Sequence, residues 1–92
     1  MTQKISNTTI ANLIVEILNQ YGIYNICICP GSRNTPLKLA FLEHKAFKCT
    51  SHIDERGGGF FSLGISKASL SPSVTLTTSG TAVANLLPSV IE

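Results

Sequence analysis

Three short runs of apolar and β-branched residues, IYNICIC, FKCTSHI and VTLTT, are separated by stretches long enough for a helix and too long for a hairpin turn. That spacing constrains the fold more than any other feature of the chain. Antiparallel neighbours can be joined by two residues, whereas parallel strands need a crossover of about a dozen or more, usually a helix. The intervening segments read as such helices: LKLAFLEHK follows Pro36 at a first-turn position, and a second helix runs from about Glu55 to Ala68. Ahead of the first run, Ile10, Leu13, Ile14, Ile17 and Leu18 recur at the spacing of an amphipathic helix, with Asn7 or Thr8 to cap its start and Gly22 at its end. After the third run, SGT opens a last helix. The order is helix, then strand and helix three times over, which predicts an α/β fold: a parallel sheet with flanking helices and right-handed crossovers.

At 92 residues the chain is expected to form one compact unit or part of one. Its last segment, TAVANLLPSVIE, has no capping glycine and no return to polar turn residues. It reads as a helix still in progress, so the chain is expected to be a piece of something longer. With 43% hydrophobic and 13% charged residues the composition is that of a globular protein. The net charge of +2 comes from scattered basic residues, which leaves no electrostatic footprint for nucleic acid or an anionic membrane. No apolar stretch approaches the roughly 20 residues of a membrane span, and MTQKISNTT lacks the apolar core of a signal peptide, so the expected location is cytoplasmic. Cys27 and Cys29 share one face of a strand in an apolar run. Together with Cys49 they read as buried thiols rather than a disulfide framework or a zinc site.

Ligands of open parallel sheets bind outside the carboxyl ends of the strands, where the loops here are PGSRNTP, DERGGG and TSGT. PGSRNTP offers a glycine, hydroxyls, an amide, Arg33 and a helix start that favours anions; Arg33 suits a carboxylate or phosphate, or is simply solvated. TSGT has the same character without a basic residue, and serves either as an anion or ring shelf or as a plain helix cap. Neither loop carries a P-loop or dinucleotide fingerprint. In DERGGG, Asp54 reads as a helix N-cap. Glu55 either pairs with Arg56 as an exposed first-turn acid, or is desolvated by its strand, the glycines and Phe60 and Phe61, so that its pKa rises and it exchanges a proton with a heterocycle nitrogen. His52 reads as a strand-end side chain, Lys67 as a solvated helix charge, and the two phenylalanines as core or interface packing.

Taken together, CPGSRNTPL, HIDERGGGFFSLGISKAS and TTSGTAVANLLPSVIE resemble the N-terminal pyrimidine-binding domain of the thiamine-diphosphate-dependent enzymes, over about Ile23 to Glu92. PGSRNTPL with DERG resembles in particular the transferase branch that decarboxylates 2-oxoglutarate and adds the product to isochorismate in menaquinone biosynthesis. The resemblance implies that residues 1–92 are the N-terminal part of that domain, and that Glu55 is the catalytic glutamate hydrogen-bonded to N1′ of the cofactor's aminopyrimidine. It implies that Ser32 and Arg33 lie at the substrate, and that Gly31, Thr78, Ser79 and Gly80 line the pyrimidine. It further implies that the diphosphate and Mg2+ are held by a later domain. A second subunit, in a homodimer or homotetramer, would complete the site, and the chain alone would be inactive. The alternatives are a non-catalytic α/β module that binds a small anion at the helix starts near Arg33 and Ser79, and a structural module that pairs with another chain.

Overall fold

The structure, a computed structural model, describes residues 6–92. Helix α1 (Asn7–Gln20) leads into strand β1 (Asn25–Ile28), a 3-10 turn at Ser32–Asn34 and helix α2 (Thr35–Glu43). Strand β2 (Lys48–Ser51), helix α3 (Glu55–Ser69) and strand β3 (Val74–Leu76) follow, then two short helices, α4 (Thr81–Ala84) and α5 (Leu87–Ile91). The sheet is parallel with the order β2-β1-β3, as the connection lengths require. The strands are shorter than the apolar runs, because Ile53 and Thr77 already belong to the loops that leave the sheet.

The chain steps from β1 to β2 on one side, then recrosses β1 to place β3 on the other. Right-handed crossovers in opposite directions put their helices on opposite faces. Accordingly α2 lies with α1, while α3 packs on β1, β3 and α5. The side chains of β1 alternate between these two layers. Ile26 and Ile28 join Ala11, Val15, Ala40, Phe41, Phe47 and Leu76 in the main core. Cys27 and Cys29 are buried too, and Cys29 meets α3. All three cysteines are free thiols, Cys49 being only partly buried.

Helix α1 ends as its glycine predicts. Gly22 has φ +71°, its N–H donates to the Asn19 carbonyl and that of Ile23 to the Leu18 carbonyl, which is the Schellman arrangement. The start differs from expectation by one residue: the cap is Ser6, whose hydroxyl accepts from the Thr9 N–H at 3.1 Å. The buried face differs more. Ala11 and Val15 are buried, whereas Ile10, Leu13, Ile14 and Ile17 are exposed. One position along a helix is a rotation of about 100°. The small side chains of Ala11 and Val15 let α1 lie close to α2 and the sheet, which turns the more regular isoleucine stripe outward.

The last helix also departs from expectation, because TAVANLLPSVIE forms two helices rather than one. Pro88 has no N–H to give the Ala84 carbonyl and its ring crowds that turn, so the helix breaks at Asn85 and Leu86. On the same face Ser73 ties the start of β3 to α3: its hydroxyl lies 2.6 Å from that of Ser62 and 2.7 Å from that of Ser66. Phe41 is fully buried with its ring 5.1 Å from that of Phe47, in the layer where α1, α2 and the sheet meet. Phe41→Ala should therefore cost about 3–5 kcal/mol through lost burial and a residual cavity, read as a lowered urea midpoint.

Candidate functional site

The parallel register aligns the carboxyl ends of all three strands, with Ile28 level with Ser51 on one side and Leu76 on the other. Two further bonds carry the alignment past the strands: the Cys29 N–H donates to the Leu76 carbonyl and the His52 N–H to the Ile28 carbonyl, each at 2.8 Å. The three singled-out loops thus leave the sheet side by side. The strand order reverses between β1 and β3, and there the loops touch. A Cβ on Gly31 would lie 2.6 Å from the Thr78 Cβ, so the close approach this glycine permits is made by Thr78.

TSGT turns the chain sharply from β3 into α4. Gly80 adopts φ 76°, ψ −136°, a conformation left to glycine, and Ser79 is exposed. The α4 helix beyond it has only four residues, too few to develop much macrodipole. In PGSRNTP, Ser32 and Arg33 are exposed in the 3-10 turn, and Arg33 lines a cleft of about 290 Å³ with Ile10, Ile14, Pro36 and Leu37. Asn34, at 5% exposure, is the anchor of the loop. Its Nδ2 donates to the Cys29 carbonyl at 2.8 Å, and its buried Oδ1 has no partner.

In DERGGG, Asp54 is the cap expected of it, accepting from the Arg56 N–H at 3.0 Å. The Arg56 guanidinium also turns back to Asp54, at 3.1 Å. Hydrogen bonds from the Arg56 side chain and backbone hold the Asp54 carboxyl below its usual range. Arg56 is therefore not the partner of Glu55. Glu55, half-buried at the first position of α3, accepts instead from Asn85 Nδ2 at 3.3 Å through Oε1. Asn85 had no place in the sequence reasoning. The signal that bears on it is Pro88, which ends α4 where the amide can reach across.

The three glycines have three separate surroundings. A Cβ on Gly58 would sit 2.8 Å from Cys29 Sγ and 3.1 Å from the His52 Cβ, and one on Gly59 would collide with Ser89 Oγ and approach Leu86. Gly58 thus seats α3 on the sheet and Gly59 seats it on α5. Gly57 has open space around it. Burial pushes the Cys29 thiol up, and the negative charge of Glu55 pushes it further; burial alone raises Cys49. The enclosure that the second reading of Glu55 requires is not made by the described residues. Phe60 and Phe61 remain 47% and 45% exposed, the Phe61 ring lies 4.5 Å from that of His52, and Ile53 is 93% exposed. His52 is the strand-end residue expected, with Nε2 3.0 Å from the Thr50 hydroxyl.

The arrangement leaves one edge of the Glu55 carboxyl group open. Glu55 Oε2 has no hydrogen-bond partner among the described residues, and the backbone at Gly57 is uncovered. A carboxyl group so placed can share a proton with a ring nitrogen. Among the described residues no three His, Cys, Asp or Glu side chains converge to hold a metal ion, and no helix is long and apolar enough to cross a membrane.

This sheet edge, with its glutamate at a helix start, belongs to a known class. Residues 8–92 match the family model described as thiamine pyrophosphate enzyme, N-terminal TPP binding domain, and the chain belongs to that family. Its relatives include the 2-succinyl-5-enolpyruvyl-6-hydroxy-3-cyclohexene-1-carboxylate synthase of Aliivibrio fischeri, 56% identical over 90 residues, which are 98% of this chain and 16% of the relative. The synthases of the same name from Serratia proteamaculans and Cronobacter sakazakii are 49% and 50% identical over all of this chain. The chain spans 16–17% of the length of these relatives.

The glycine geometry yields a paired expectation. Gly57→Ala should be neutral or stabilising by up to about 1 kcal/mol, since it adds helix propensity in open space. Gly58→Ala should destabilise by about 1–3 kcal/mol, because the Cys29 thiol must move. Thermal unfolding of the two variants side by side distinguishes them.

Proposed function

We propose that residues 1–92 are the N-terminal part of a pyrimidine-binding domain in a thiamine-diphosphate-dependent transferase of the 2-succinyl-5-enolpyruvyl-6-hydroxy-3-cyclohexene-1-carboxylate synthase type. One observation carries this reading: Glu55 stands at the carboxyl edge of the sheet, one oxygen held by Asn85 and the other without a partner. When bound, thiamine diphosphate supplies a carbon nucleophile that attacks a 2-oxo acid with loss of CO2. Glu55 would hold a proton at N1′ of the aminopyrimidine. Gly31, Thr78, Ser79 and Gly80 border the ring, Gly31 and Thr78 by closing the floor between β1 and β3.

Ser32 and Arg33, exposed in the loop that follows β1, bind a carboxylate of the substrates, 2-oxoglutarate and isochorismate. A guanidinium suits that task because its fork matches a carboxylate in bidentate fashion. Mg2+ and the diphosphate are assigned to parts of the protein that this chain does not supply. The exposed Ile53, Phe60 and Phe61 beside Glu55 favour completion of the site by a second subunit, in a homodimer or homotetramer. Burying them there would supply the desolvation of Glu55 that the single chain lacks. The chain alone is then inactive, and the working enzyme is cytoplasmic.

Two substitutions in the full-length protein test this assignment. Glu55→Gln should lower cofactor-dependent turnover by at least about a hundredfold while leaving thermal unfolding nearly unchanged; activity retained at the wild-type level would remove Glu55 from the chemistry. Arg33→Ala should raise the KM of a carboxylate substrate by about tenfold or more and leave the thiamine diphosphate requirement unaltered. Equal effects on substrate and cofactor would contradict a substrate role.

A further inference from the structure

The hydrogen bond between Asn85 and Glu55 joins residues 30 positions apart in the chain and, among the described residues, is the one side-chain bond that reaches from the α4–α5 junction to α3. Several features converge to make it. Pro88 breaks the helix so that Asn85 caps α4, its N–H bonded to the Thr81 carbonyl at 3.0 Å. Gly59 lets α5 close on α3, with Ser89 and Leu86 against the glycine. Ser89 is buried there, its hydroxyl donating to the Leu86 carbonyl at 2.8 Å. The amide is thus carried to the carboxylate by an element whose distance from α3 is set by backbone contact.

Resting on the catalytic role given above to Glu55, we infer that Asn85 is its positioning residue and decides which carboxylate oxygen carries the proton. An amide N–H donates only to an oxygen that can accept. Oε1 is engaged in this way, so the proton that Glu55 exchanges resides on Oε2. The amide thereby fixes the rotation of the carboxyl group and leaves Oε2 as the oxygen that can face a ring nitrogen.

Other groups near Glu55 leave this role to the amide. From α3, Asp54 and Arg56 are committed to each other. Just after β1, Cys29 is neutral below its raised pKa, and His52, after β2, is bonded to Thr50 and packed on Phe61. The segments of α4 and α5 carry no titratable side chain before Glu92.

The test uses the full-length protein with thiamine diphosphate and Mg2+ and reads the pH dependence of deuterium exchange at the cofactor's C2 carbon, without substrate. Asn85→Ser weakens the donor, and Asn85→Asp replaces it with a negative charge at nearly the same size. The exchange midpoint should move up by about half to one pH unit for Asn85→Ser, and further for Asn85→Asp, because a like charge disfavours ionisation more than a missing donor does. Asn85→Gln, which keeps the amide, should stay closer to wild type than either. A uniform fall in exchange rate with no change of midpoint, or a midpoint equal in all three variants, would overturn the positioning role. Thermal unfolding of the same samples identifies a variant that has merely lost its fold, and the other two then decide the matter. Glu55→Gln is the separate control: if it exchanges as fast as wild type, the catalytic reading of Glu55 fails, whatever the Asn85 variants do.

Discussion

Everything in this fold depends on β1 being covered on both faces. Ile26 and Ile28 point to the layer of α1 and α2, and Cys27 and Cys29 to the layer of α3, while backbone bonds occupy both edges. A strand enclosed on every side has no solvent-facing register to slip into. Because it lies between β2 and β3, the chain must recross it, and the recrossing sets both the handedness of the layers and the place where the loops meet. The candidate site follows from that one arrangement. It lies at the carboxyl end of the strand that cannot move.

The contacts that build the site are mostly contacts of backbone with small side chains. Gly31 lies against Thr78, Gly58 against Cys29 and His52, and Gly59 against Ser89 and Leu86. Each sets a distance between two elements with no rotatable atoms on the glycine side, so the positions of the loops depend little on side-chain entropy. Glycine in a helix still costs up to about 1 kcal/mol. Here Gly58 and Gly59 exchange that propensity for close packing on β1 and α5. Gly57, which packs on none of the described residues, lies two positions from Glu55 and carries the same cost without such a return.

The parallel α/β order was legible because three apolar runs spaced by helix-length segments admit few other solutions, and the thiols and the Asp54 cap followed from alternation and local chemistry. Which face of α1 is buried was not legible. Two apolar stripes run along that helix, and the one with the small side chains of Ala11 and Val15 is buried because it lets α1 lie close to α2 and the sheet, a preference that periodicity does not register. Nor was the partner of Glu55, because Arg56 is adjacent in the chain whereas Asn85 becomes adjacent only when Pro88 breaks the last helix and Gly59 admits α5. Enclosure of Glu55 by Phe60 and Phe61 was one of two readings of the neighbouring letters, yet both rings stand half in solvent. Proximity in sequence overstates contact wherever a helix rotates successive side chains about 100° apart.

The contact of Cys29 with Gly58 carries a consequence for how such chains can diverge. The thiol fills the space directly beneath the backbone of α3, so a side chain at position 58 and a side chain the size of cysteine at position 29 exclude each other. An alanine at position 29 would relieve that contact, while the His52 Cβ, 3.1 Å from the same point, would still limit what position 58 can hold. Positions 29, 52 and 58, invisible to one another in the sequence, thus constrain each other's size.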